Sequence, residues 1–240
     1  MSESRQPSPP ARARRRTALI TGGTGGLGGA VTGVFLEAGW RVVVPVRPGR
    51  QSRAPRGAEP VTADVMNPTD VAVAADLAAS RPDAPLGALV NLVGGYASGG
   101  PVHQTGLDEF EGMLRLNLRP TYLATAAAVP HLVAAGGGAI MCVSSRAALR
   151  PFAGAAGYIA AKAAVMAFAS AVAVEYASAG VRCNTVIPSV IDTPANRAAQ
   201  PDADHSRWVT PAAIARTILF LAGDDAASIN GAAIPIYGAA

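Results

Sequence analysis

From Thr17 onward, short runs of β-branched and aliphatic residues alternate with longer stretches whose apolar positions recur at helical spacing. That alternation is the pattern of βαβ units feeding a mostly parallel sheet. Strands are predicted at Ala18–Thr21, Arg41–Val46, Pro60–Ala63, Ala88–Leu92, Ala139–Ser144, Arg182–Ile187 and Ala233–Ile236. Helices are predicted at Leu27–Ala38, Pro68–Ala79, Leu107 through Ala135, Ala155–Ser178 and, after a long connection, Pro211–Ala222. The expectation is an α/β protein, one doubly wound parallel sheet of about seven strands with helices on both faces.

In such a sheet, ligands bind beyond the carboxyl ends of the strands, where the βα loops converge. The segments that fall there are Thr21–Gly28, Val46–Arg56, Asp64–Val65, Asn91–Gly95, Ser144–Ser145 and Pro188–Thr193. They hold nearly every chemically suggestive residue of the chain.

Composition changes this picture little. The 240 residues are half hydrophobic, enough for one large core, and every apolar run is broken by Gly, Pro or a charge before the ~18 residues a membrane span needs. The net charge of +4 is local, because Arg5, Arg12, Arg14, Arg15 and Arg16 against Glu3 already account for it, leaving residues 17–240 neutral. Residues 1–16, rich in Pro, Ser and Arg, read as a disordered tail, and no apolar stretch of signal-peptide length follows it. The neutral body argues against a nucleic-acid partner. Cys142 and Cys183 lie in apolar surroundings without metal spacing, so buried reduced thiols, no metal site and a cytoplasmic location are expected.

The run Thr21-Gly22-Gly23-Thr24-Gly25-Gly26-Leu27-Gly28 follows the first strand and opens the first helix. Glycines there permit a tight turn, close approach of amides to a diphosphate, and a helix N-terminus facing the anion. GxGxxG, read at Gly23, Gly25 and Gly28, is weak alone; the strand before it and the helix after it favour a Rossmann-type dinucleotide site over a flexible connector. At the end of the second strand an acid would select NAD and an arginine NADP. No Asp or Glu occurs from Ala38 through Ala58, whereas Arg47, Arg50, Arg53 and Arg56 do. NADP(H) is therefore favoured over NAD(H), with Arg47 the expected phosphate ligand and Arg53 and Arg56 read as solvated. Asp64 either reaches the adenine edge or caps the helix that starts near Pro68.

The chain has nineteen arginines and one lysine, Lys162. A cation retained as lysine suggests a position that needs a compact ammonium. Tyr158 stands four residues earlier, on the same helical face, where an ammonium would stabilise phenolate and lower the tyrosine pKa toward working pH. The alternative is a packed tyrosine beside a surface lysine. Ser145, at the end of the fifth strand, can hold a substrate oxygen; Ser144 reads as a turn former. No GxSxG surrounds Ser145, and His103, His131 and His205 lack paired spacing, so a nucleophilic serine is not indicated.

Taken together these residues resemble the short-chain dehydrogenase/reductase family, of the 3-oxoacyl reductase type. The resemblance runs from Thr17 to the C-terminus and rests on Thr21-Gly22-x-x-x-Gly26-x-Gly28, Asp64, Asn117 in Leu116-Asn117-Leu118-Arg119, and Ser145 thirteen residues before Tyr158-x-x-x-Lys162. It implies hydride transfer between nicotinamide and a carbonyl or alcohol. Tyr158 would act as general acid/base, Lys162 would bind ribose and tune the tyrosine, Ser145 would position the carbonyl, and Asn117 would kink its helix and hold a water. Implied cofactor contacts are Gly22, Thr24, Gly26, Leu27, Gly28, Arg47, Asp64, Val65, Asn91, Gly94, Tyr158, Lys162, Pro188, Ile191 and Thr193. A homotetramer or homodimer built through the long helices is also implied. The chain departs from the family at Asn91-Leu92-Val93-Gly94-Gly95, where Asn-Asn-Ala-Gly is usual, and at Pro188-Ser189, where Pro-Gly is usual. The 189–210 insert resembles a substrate lid, and Tyr96, Arg150, Phe152 and Trp208 are the expected substrate contacts. A catalytically silent dinucleotide sensor or scaffold is the alternative, disfavoured by the intact set of four.

Overall fold

The computed structural model describes residues 15–49 and 54–239. Residues 1–14 of the predicted tail and the arginines at 50 and 53 lie outside them, whereas Arg16, expected in the tail, pairs with Asp224 at 2.8 Å and covers the Trp40 ring. Seven strands are all parallel: β1 (Thr17–Thr21), β2 (Arg41–Val46), β3 (Glu59–Thr62), β4 (Leu86–Asn91), β5 (Gly138–Val143), β6 (Val181–Pro188) and β7 (Ala233–Ile236). Their order across the sheet is β3-β2-β1-β4-β5-β6-β7. The order reverses between β1 and β4, so the loops leaving those two strands part and open a crevice.

Strand side chains alternate between two covered faces. Leu19, Val43, Leu89 and Ile140 point to one core, where α2 (Pro68–Ala79), α4 (Arg119–Ala134) and α5 (Ala156–Glu175) pack. Ile20, Val44, Val90 and Met141 point to the other, beneath α1 (Gly26–Glu37) and α7 (Pro211–Ala222). With both faces buried, the strands read as continuous apolar runs, as a doubly wound sheet requires. α5 has the length and hydropathy of a membrane span, yet it carries Lys162 and contributes Val165, Ala169 and Val172 to the first core.

Two elements differ from expectation. The helix predicted from Leu107 through Ala135 is two, α3 (Leu107–Asn117) and α4, with Leu118 between them. Pro120 explains the break, since it cannot donate to the carbonyl of Leu116 and its ring crowds that group. Pro130, on an exposed face of α4, interrupts nothing. The 189–210 segment contains a short helix, α6 (Pro194–Ala199), that no periodicity announces; Thr193 caps it by accepting from the Asn196 amide at 3.2 Å.

Candidate active site

The glycine turn is set by contact rather than by flexibility alone. Gly22 has φ +72°, and a Cβ at Gly28 would lie 2.0 Å from the Gly22 carbonyl oxygen. α1 then starts at Gly25 without a side-chain cap, so its first-turn amides stay open toward the crevice. A cavity of about 260 Å³ lies beside this turn, lined by Gly22, Thr24, Val46, Arg47, Val65 and Val93 among others. Its shape, glycine cradle and cation at the end of β2 suit a dinucleotide. Across the same turn Thr193 packs on Gly26, where a Cβ would sit 3.0 Å from its methyl. Leu27 is partly buried against the second core, and Pro188 is buried at the end of β6. Ile191 bridges to Val209 and accepts from the Asn196 side chain at 2.8 Å.

Two expected cofactor residues have side chains bonded within the protein. Asp64 turns its carboxylate to the Met66 amide at 3.0 Å, and the helix cap is Asn67, not Asp64. The Asn91 side chain points into the core, donating to Thr125 Oγ1 at 3.2 Å and Cys142 Sγ at 3.8 Å, with its buried Oδ1 unpartnered among the described residues.

The four residues from the family pattern converge. Asn117, buried at the end of α3, grips Gly95 from both sides: Oδ1 accepts from its amide at 3.1 Å and Nδ2 donates to its carbonyl at 3.0 Å. Nδ2 also donates to Met113 at 3.0 Å. A side chain at Gly94 would collide with Asn117 Oδ1 at 2.6 Å and Lys162 Nζ at 3.1 Å, so a glycine there keeps the amide and the ammonium facing one small space. Lys162 Nζ donates to the Val143 carbonyl at 3.1 Å and lies 5.9 Å from the Tyr158 ring centre. Ser145 Oγ accepts from the Ala147 amide at 3.2 Å and lies on the side of the Tyr158 hydroxyl, opposing the rise in its pKa.

Two chemical expectations need correction. Ser144 is no turn former; it is buried and donates to the Lys162 carbonyl at 2.8 Å, whereas Ser145 caps the following turn. The Tyr158 pKa is raised, not lowered: burial dominates, Ser145 opposes it, and Tyr96 adds to it. Lys162 is itself pulled down to about 8 by burial, with Cys142 resisting.

Of the expected substrate contacts, Tyr96 meets Tyr158 edge-to-face, ring centres 5.0 Å apart. Phe152 is half exposed on a loop tied to the Tyr96 loop through Gly99 N to Gly154 O at 2.7 Å. Arg150 is exposed. Trp208 stacks on His205 at 4.4 Å rather than on these aromatics. His131 pairs with Asp76 at 3.0 Å, far from this chemistry. Cys142 and Cys183 are free and buried.

A parallel sheet with a glycine cradle at its switch point, beside a serine, a tyrosine and a buried lysine, defines a nucleotide-dependent oxidoreductase. The family model described as short chain dehydrogenase matches residues 16–204, and the chain belongs to that family. It is 33% identical over 93% of its length to the 2-(R)-hydroxypropyl-CoM dehydrogenase of Xanthobacter autotrophicus, covering 98% of that protein. It is 34% identical over 93% of its length to the 2,5-dichloro-2,5-cyclohexadiene-1,4-diol dehydrogenase LinX of Sphingobium indicum, covering 95% of it. Among solved structures, ElxO with NADP bound superposes with a TM-score of 0.86 at 26% identity, covering 93% of this chain and 98% of that one. The protein is thus an NAD(P)-dependent dehydrogenase or reductase acting on small alcohol or carbonyl substrates.

Proposed function

We propose that this enzyme is an NADP(H)-dependent carbonyl reductase/alcohol dehydrogenase in which Tyr158 exchanges the proton. The observation that carries the reading is Tyr158 standing one helical turn before the buried Lys162, with the ammonium 5.9 Å from its ring centre and Ser145 on the side of its hydroxyl. A nicotinamide held over the glycine turn beside Thr193 would supply hydride to the substrate carbon or accept it. Ser145 and Tyr158 together hold the substrate oxygen. Its raised pKa keeps Tyr158 protonated at neutral pH, the state that can donate to an oxygen gaining charge. Lys162, held against Val143 and facing Gly94, presents its ammonium to the ribose side of the crevice. Asn117 fixes the Gly94–Gly95 backbone that forms the crevice wall.

The preference for NADP(H) rests on Arg47. It lines the crevice beyond β2, no acid stands from Ala38 through Ala58, and Arg47 forms no salt bridge among the described residues. Gly22, Thr24, Gly26, Gly28, Val65 and Thr193 surround the remaining cofactor positions. We assign the 189–210 segment as a substrate lid within a single dinucleotide-binding domain of residues 17–240, acting in the cytoplasm as a homotetramer or homodimer. Exposed Tyr122 on α4, packed on Phe168 of α5, suits a subunit contact through those helices.

NADPH oxidation measured over a panel of aldehydes and ketones tests the reading, with Tyr158→Phe beside the wild type. The variant should bind NADPH normally and lose about a thousandfold or more in kcat. Undiminished turnover would remove Tyr158 from the proton-transfer step, and NADPH binding without turnover of any compound would favour a silent dinucleotide sensor.

A further inference from the structure

Four arginines among the described residues are at least partly buried: Arg16, Arg41, Arg146 and Arg182. Three have their forks matched. Arg16 pairs with Asp224 at 2.8 Å, Arg41 with Glu59 at 2.8 Å, and Arg182 donates to the carbonyls of Ile229 and Gly223. Arg146 is different. Its guanidinium lies 5.1 Å over the Tyr237 ring and meets no acid among the described residues. Half-burying an arginine without an acceptor costs desolvation, so such a fork is poised for a partner that arrives from outside.

Its location says what that partner is. Arg146 directly follows Ser145 and opens the one-turn 3₁₀ helix Arg146–Ala148, whose amide at Ala147 is capped by the Ser145 hydroxyl. The backbone that carries the fork is therefore fixed to the residue whose oxygen would hold the substrate. Tyr237, on which it rests, is anchored in turn: its carbonyl accepts from Ser189 Oγ at 2.7 Å. A Cβ at the next residue, Gly238, would lie 3.1 Å from the Arg207 carbonyl oxygen and 3.3 Å from Val209. Arg146 thus spans from the catalytic turn to the base of the 189–210 segment. Asp192, an acid at the start of that segment, is already held by Arg197.

Building on the reductase reading above, we propose that Arg146 is a specificity-determining residue that recognises a carboxylate on the substrate. Its two parallel N–H donors match a carboxylate bidentately, and the Tyr237 face holds the guanidinium plane in place. The exposed Tyr96, Leu149 and Phe152 on the neighbouring loops supply apolar surface for the carbon skeleton between the two polar ends. The substrate class is an apolar oxo acid or its hydroxy acid.

A matched pair tests this: 4-formylbenzoate against its methyl ester, with NADPH, in wild type, Arg146→Met and Arg146→Lys. The wild type should favour the acid, and Arg146→Met should reduce the acid-to-ester ratio of kcat/KM by about tenfold or more, mainly through KM, with partial recovery in Arg146→Lys. In parallel, benzoate should raise the melting temperature of the wild-type complex with NADP and leave that of Arg146→Met unmoved. Equal turnover of acid and ester, or a ratio insensitive to Arg146→Met, overturns the inference and leaves hydride transfer intact. Benzoate protection that depends on Arg146 with neither aldehyde reduced upholds the anion site and counts against the reductase reading. Absence of protection in the wild type overturns the anion site.

Discussion

The hydroxyl of Ser144 donates to the main-chain oxygen of Lys162 at 2.8 Å. One buried bond therefore ties the end of β5 to the middle of α5, and the Lys162 side chain returns the link by donating to Val143 at 3.1 Å. These two bonds set how far the tyrosine and lysine stand from the serine. Ser144→Ala should lower unfolding stability by about 1 kcal/mol. It should also reduce kcat more than cofactor affinity, because the reacting groups lose register while the glycine cradle stays intact. Denaturant melts and steady-state kinetics check both.

Burial lowers the Lys162 pKa from 10.5 to about 8. Between those values the unfolded chain binds more protons than the folded one, so this group's contribution to stability rises with pH across about 8 to 10.5 and is unfavourable below 8. Lys162→Met should then melt higher than wild type at pH 7, by up to about 3 kcal/mol from the size of the shift, with the gap closing above pH 10. Its activity should be lost. A melting series across pH measures this, and a variant less stable than wild type at pH 7 would contradict it.

Gly28 and its neighbour Gly29 make a paired test. A Cβ at Gly28 would sit 2.0 Å from the Gly22 oxygen, whereas one at Gly29 meets nothing within 4 Å. Gly28→Ala should displace the turn and weaken NADPH binding by about a hundredfold or more. Gly29→Ala should bind normally and gain about 0.5–1 kcal/mol in stability, since alanine suits a helix interior better than glycine. Fluorescence titration and melting separate the two.

Arg47→Asp should reverse the cofactor preference. Replacing the guanidinium by a carboxylate removes the phosphate partner and supplies an acceptor for a ribose hydroxyl. The NADPH-to-NADH ratio of kcat/KM should fall by about a hundredfold. An unchanged ratio would remove Arg47 from the phosphate site.

The strands, the glycine turn and the Ser145, Asn117, Tyr158 and Lys162 set were legible in the sequence, because each is a local pattern: a short apolar run, a fixed glycine spacing, two side chains one helical turn apart. Pro120 also marks the break between α3 and α4, although the apolar pattern runs through it. What no local pattern carries is the identity of the partner across space. That Ser144 rather than Ser145 is the buried brace, that Asn91 faces Cys142 and Thr125, and that Arg146 rests on Tyr237 depend on which strands become neighbours, a contact between residues 91 positions apart in the last case. Charge alone makes the tyrosine a group acidified by its lysine. Folding decided otherwise, because desolvation acts on both groups at once and grows with every atom packed around them, a quantity that exists only after the chain has closed over the site.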